Sequence, residues 1–270
     1  MEVRTDDAAR IYESHQAWPP EVAGAVAERL RAALGPPPPR DCLFLGAATG
    51  VNDVLPFARR ADPEDRVWGT DVSADCLERM RAHAAREGLA NVRVRAVDLR
   101  SDLDGLGRFD LTACLFVLHR LDDWRAVVPR LAARVREGGS LFVSEFAGPG
   151  GVIRLSNEGG GEGDDPVSRM IRRHFELAGP FAAELRSTFI GPARDRLSRL
   201  LEPAGVHDVP WVQRLTPADL HAKIAARAFA PFVGRPGTPE TLERLRREFA
   251  REWEIPVETT ETIRLYRFAG

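Results

Sequence analysis

A chain of 270 residues, 44% apolar and 29% charged, is long enough for a substantial core and has the composition of a globular protein. Its formal net charge of -2 argues against the strongly basic footprint of a nucleic-acid binder, and no apolar run approaches membrane-spanning length. The three cysteines, Cys42, Cys76 and Cys114, cannot pair fully and lack metal-ligand spacing. With Met1 to Arg10 charged throughout and unlike a signal peptide, a reducing, cytoplasmic setting is expected.

Residues 7–18 read as a short helix stopped by Pro19 and Pro20, and residues 21–34 as a longer one with Val22, Val26 and Leu30 on one face. Pro36 to Pro39 form a stiff linker into an apolar strand that ends in the small-residue turn Gly46-Ala47-Ala48-Thr49-Gly50. Small residues let backbone approach a ligand closely, so this turn is the predicted cradle. Its G-x-x-x-G spacing matches neither the dinucleotide fingerprint nor the phosphate loop, and no Lys follows it. Residues 52–60 are predicted to form the first crossover helix. The strand Arg66–Asp71 ends in an acid, placed where a carboxylate can accept both hydroxyls of a ribose, with Val72 beside it.

A second crossover helix is expected over residues 74–88, with Leu77, Met80, Ala84 and Ala85 as its core stripe and Gly88 as its stop. A third strand, residues 91–97, ends in Asp98, and a fourth spans residues 109–116. A helix over residues 121–135 points Trp124, Val127, Val128 and Leu131 inward. The stretch Glu137-Gly138-Gly139-Ser140 then leads into a fifth strand, residues 141–146. Strands alternating with helices of this length predict an α/β, doubly wound, Rossmann-like and mostly parallel sheet. Ligands of such sheets bind at the carboxyl ends of the strands, where Gly46 to Gly50, Asp71, Asp98 and Cys114 all fall.

This order of features resembles the class I S-adenosylmethionine-dependent methyltransferases, specifically their small-molecule branch, over roughly residues 40 to 147. The resemblance implies seven strands with an antiparallel last one and a helical cap. It implies that Gly46, Ala47, Ala48, Thr49 and Gly50 hold the methionine part of S-adenosyl-L-methionine, with S-adenosyl-L-homocysteine as product. Asp71 would take the ribose, Asp98 with Leu99 would face the adenine amino group, and Cys114 and Leu115 would line the methyl-donor end. Tyr12 and His15 would face the cofactor from the N-terminal helix. Two positions depart from the family pattern: Phe44 stands where an acid is common, and Ala48 where a middle glycine is.

Four segments are expected: an N-terminal helical cap segment (1–40), the cofactor-binding core (41–147), a glycine-rich loop and helical insertion serving as substrate lid (148–192), and a final part (193–270). The last holds a core helix and strands six and seven, with two cap helices between them that open at Thr216-Pro217 and Thr238-Pro239. Methyl transfer is a displacement at carbon, for which the protein supplies alignment and a dry pocket. A base is needed only if the acceptor must lose a proton, and His119 and His174 are the candidates. No metal ligand set is assigned.

The leading expectation is a methyltransferase acting on a small molecule. The alternatives are a protein of that fold that binds S-adenosylmethionine or S-adenosylhomocysteine without transferring methyl, and a nicotinamide oxidoreductase. The missing dinucleotide fingerprint and the position of Asp98 weigh against the last.

Overall fold

A computed structural model describes residues 9–10, 12–14, 16–35, 38–118, 121, 123–147, 165–178, 201–225 and 238–270. Seven strands form one sheet in the order β3-β2-β1-β4-β5-β7-β6: β1 Asp41–Phe44, β2 Arg66–Asp71, β3 Val92–Ala96, β4 Phe109–Leu115, β5 Val135–Ala147, β6 Gly205–Leu215 and β7 Val257–Ala269. The pairs β1/β2, β1/β4, β2/β3 and β4/β5 are parallel. One strand of the seven is antiparallel, and helices flank the sheet. This is the doubly wound, mostly parallel architecture that the alternation of strands and helices predicts.

The reversal of strand order around β1 and β4 opens a crevice at their carboxyl ends, the usual ligand position in such sheets. β1 lies inside the sheet between β2 and β4, and all four of its residues are buried. A strand covered on both faces needs a continuous apolar run, and Cys42, Leu43, Phe44 and the following Leu45 supply one. Asp41 is tolerated at its start because Arg66 and Arg136 reach its carboxylate at 2.6 and 2.8 Å.

The helices are α1 Pro20–Arg31, α2 Val54–Ala58, α3 Ala74–Arg86 and α4 Trp124–Ala132, followed by α5 Pro166–Ala178, α6 Pro217–Ala225 and α7 Pro239–Glu248. In α3 the Ser73 side chain caps the first turn, and Gly88 ends the helix with a φ of +67°. Its buried stripe is Cys76, Leu77, Met80 and Ala84. Ala85 is exposed, against expectation, because one residue beyond Ala84 the helix has turned about 100° away from the sheet.

β5 also differs from expectation. It begins at Val135, and the Glu137-Gly138-Gly139 segment lies inside it. Gly138, with a φ of +76°, accommodates a register irregularity against β4 between Phe109 and Leu111. The glycines thus mark a bulge within the strand, which a sequence pattern reads as its boundary.

The described chain divides into two compact units, one within Met1–Glu145, Arg194–Val209 and Arg264–Gly270, the other within Phe146–Ala193 and Pro210–Ile263. The second has its own core, in which Val167, Met170 and Ile171 of α5 pack with Leu220 and Ile224 of α6 and Leu245 of α7. Glu248 accepts from Arg173 at 2.7 Å and from Arg244 at 2.8 Å, fastening α5 to α7. The predicted glycine-rich loop and residues 179–200, which hold the rest of the predicted insertion and the start of the final part, lie outside the described residues.

Candidate functional site

The turn after β1 is held in a conformation that ordinary residues avoid. Gly46, Ala48 and Gly50 have φ of +66°, +48° and +75°. A Cβ on Gly46 would lie 2.6 Å from Val117 Cγ2, and one on Gly50 would lie 2.9 Å from Met80 Cγ. Both glycines are therefore required twice over, by backbone and by space. Ala48 adopts the left-handed region without that freedom, at a cost of about 1–2 kcal/mol.

Hydrogen bonds to the neighbouring strands fix the turn. Leu45 N–H donates to the Ala113 carbonyl and Ala47 N–H to the Thr70 carbonyl, each at 2.8 Å. Ala48 N–H donates to Asp71 Oδ2 at 2.9 Å, and Ser73 N–H donates to Asp71 Oδ1 at 2.9 Å. The Asp71 carboxylate thus ties the turn to the start of α3. Each of its oxygens keeps acceptor capacity for a further donor. Val72 follows with its apolar side chain 64% exposed.

Three polar residues of this stretch are buried: Thr49, Asn52 and Asp53. The Thr49 hydroxyl has no partner among the described residues. Asn52 is fully engaged: its amide donates to Tyr12 Oη at 2.9 Å and to the Gln16 carbonyl at 3.0 Å, and its oxygen accepts Trp18 N–H at 2.8 Å. Asp53 Oδ1 accepts Val54 N–H at 2.6 Å. Burial pushes the Asp53 carboxyl up to about 7, with the charge of Asp71 adding to the effect.

The N-terminal segment lies against the turn through these contacts. Tyr12 reaches it by way of Asn52, and Glu13 binds Arg79 at 3.1 Å and His83 Nε2 at 2.7 Å on α3. Trp18 packs edge-on against Phe116, ring centroids 5.3 Å apart. Phe116 leaves β4 with a φ of +57°, a costly conformation for a bulky residue and one that turns the chain sharply beside Gly46 and Val117.

The remaining predicted residues fall as follows. Val97 N–H donates to the Asp71 carbonyl at 3.1 Å, which brings Asp98 and the buried Leu99 alongside the end of β2. The Asp98 carboxylate is gripped by Arg100, whose Nε and Nη2 each lie 3.1 Å away, and this holds it below the usual carboxylate range. Cys114 is fully buried in β4 and Leu115 nearly so. Phe44 packs edge-on against Phe57 at 5.1 Å and is fully buried, so it offers no polar group to a ligand.

His174 belongs to the second unit. It is 1% exposed, and burial pushes its imidazole down to about 4. His119 and His15 lie outside the described residues. The structure therefore brings Gly46 to Gly50, Asp71 and Val72 together directly, with Tyr12 joined to them through Asn52 and with Asp98 and Leu99 on the adjacent strand end. Sequence reasoning passed over Asn52, Asp53, Trp18 and Phe116. The only signal available for the first two was polar residues in a segment that a crossover helix should bury.

Residues 43–141 match the family described as Methyltransferase domain, on the Rossmann-like fold of the class I enzymes. Among curated proteins, this chain is similar to the biotin biosynthesis bifunctional protein BioCD of Bordetella avium (strain 197N), 35% identical over 150 residues. That match covers 53% of this chain and 30% of the relative, so the chain spans about a third of its length.

Among solved structures, a putative type II methyltransferase from Anaeromyxobacter dehalogenans superposes with a TM-score of 0.54 at 15% identity, covering 94% of this chain and 97% of that one. A coclaurine N-methyltransferase bound to N-methylheliamine and S-adenosylhomocysteine superposes with a TM-score of 0.51 at 13% identity, covering 90% and 71%. At these identities the likeness is one of methyltransferase fold.

Proposed function

We propose that the chain transfers a methyl group from S-adenosylmethionine to a small-molecule acceptor. One observation carries this reading: the glycine turn holds two carboxylates, Asp53 and Asp71, and neither has a basic partner among the described residues. Such a turn suits a ligand that is cationic and rich in hydroxyls, and it repels the phosphates of a dinucleotide. The buried, unpartnered Thr49 hydroxyl and the close approaches at Gly46 and Gly50 fit the same kind of ligand.

In this reading Gly46 to Gly50 hold the methionine end and Asp71 takes the ribose hydroxyls. Val72 offers its exposed side chain to a face of the adenine, Asp98 and Leu99 meet the adenine edge, and Cys114 and Leu115 back the methyl-donor end. Tyr12 and His15 cover the ligand. The cofactor supplies an activated methyl carried on a positively charged sulfur. The chain's own part is to orient the two reactants and exclude water. His119 and His174 are the proposed bases for an acceptor that must lose a proton; burial disfavours the protonated form of His174 and so weakens it in that role. A small-molecule acceptor is supported by the N-methylheliamine held by the coclaurine enzyme. A cytoplasmic location is supported by three buried free cysteines, and no helix among the described residues is long and apolar enough to cross a membrane.

A second reading, cofactor binding without methyl transfer, is favoured by the apolar Phe44 in the core and by the Arg100 grip on Asp98. Calorimetric titration with S-adenosylmethionine, S-adenosylhomocysteine and NAD separates these cases. Micromolar binding of the first two, about 8 kcal/mol, with none of NAD, is expected. Asp71→Ala should weaken it by at least tenfold. NAD binding would sink the reading, and tight binding with no product from any acceptor would favour the second.

A further inference from the structure

Asp53, whose charge the cofactor reading counts without pairing it to any group of the ligand, follows the same turn and is 6% exposed. Its hydrogen-bond donors among the described residues are the backbone N–H groups of Val54 and of Asp53 itself, with no charged donor. A carboxylate so enclosed is costly unless a proton or a cation joins it. The charged group that acts on it is Asp71, which carries the same sign and makes the ionised form harder to hold. Thr49, four positions earlier, adds a fully buried hydroxyl with no partner among the described residues. The turn thus folds with an unmet demand for positive charge and an unused hydroxyl, while Phe44 at the end of β1 meets neither.

We propose that Asp53 is the anionic partner of the cationic amino-acid end of the cofactor, with the Thr49 hydroxyl beside it, an assignment that rests on the cofactor reading above. In the free protein near neutral pH, the Asp53 carboxyl holds a proton for part of the time. As the ligand's ammonium arrives, that proton passes to the buffer and the carboxylate pairs with the ammonium. Val54 N–H already holds Oδ1, so the group is positioned before the ligand binds.

The test is titration with S-adenosylhomocysteine at pH 7 of the wild type and of Asp53→Asn, in two buffers of different ionisation enthalpy. The difference in heat between the buffers counts protons released. Asparagine keeps an oxygen for the Val54 N–H, and a thermal melt without ligand verifies that the variant is folded. The wild type should release about half a proton more than the variant, as expected for a group that titrates near the working pH. The variant should bind at least tenfold more weakly, and wild-type affinity should rise from pH 6 to pH 8 more steeply than that of the variant. Equal proton counts and equal affinities would overturn the assignment while leaving the cofactor reading standing. No binding of S-adenosylhomocysteine to the wild type would overturn the cofactor reading, and the assignment with it. If Asp53→Asn does not fold, the wild-type pH dependence decides: affinity flat between pH 6 and pH 8 overturns the assignment.

Discussion

Gly46→Ala places a Cβ 2.6 Å from Val117 Cγ2 and 3.0 Å from Cγ1, on a backbone with a φ of +66°. Two costs combine. The left-handed conformation costs a residue with a Cβ about 1–2 kcal/mol. The overlap adds about 1–3 kcal/mol, since Val117 is buried and its β-branched side chain has little rotamer freedom to yield. Gly88→Ala isolates the first cost, because Gly88 has a φ of +67° and nothing lies within 4 Å of the added Cβ. Urea denaturation of the two variants should show Gly46→Ala roughly 2–5 kcal/mol less stable than the wild type and Gly88→Ala about 1–2 kcal/mol less stable. Titration with S-adenosylhomocysteine should show binding lost in the first and kept in the second. Equal destabilisation would mean that backbone strain alone accounts for Gly46 and that Val117 does not constrain the turn.

The clasp formed by Asn52 should be separable from the core. Asn52→Ala removes three hydrogen bonds to the N-terminal segment, roughly 2–4 kcal/mol together, so trypsin should cut after the exposed Arg10 at least tenfold faster, and unchanged cleavage would show that the clasp does not hold the segment. His174 titrates near 6.5 when unfolded and is pushed down to about 4 by burial when folded, so the stability it contributes is complete above pH 6.5 and is lost as the pH falls through 4. The ceiling is about 3 kcal/mol, and His174→Leu should flatten the stability profile between pH 4 and 6.5; parallel profiles would refute the cause.

The core was legible because its signals are local. Arg66 to Asp71 reads as a strand ending in an acid, and β2 has those bounds. The stripe of α3 reads from Leu77 and Met80, and only Ala85 falls off it. Two kinds of feature were not legible. Gly138 and Gly139 look like punctuation in a sequence, but a positive φ within a paired strand makes a bulge, and only the partner strand distinguishes the two. The Asp98 grip by Arg100 was visible as two opposite charges two residues apart. That spacing is common in loops, and nothing in it says that the chain will fold the arginine back onto the carboxylate.

Asp53 illustrates the harder case. An aspartate next to the first apolar residues of a helix reads as an ordinary cap, and it does accept the N–H of Val54. Capping positions are normally open to water, so a cap carboxylate stays charged at little cost. Here the short α2 is buried along its length, and Phe57 on α2 is held against Phe44. The aromatic pair that fills the β1–α2 interface takes the place a polar residue at position 44 would occupy, so among the described residues the carboxylates at this part of the turn are those of Asp53 and Asp71. Phe44 and Asp53 therefore belong to one arrangement: the first gains packing by giving up a charge, and the second brings a charge to the turn under conditions that keep it part-protonated until a cation arrives.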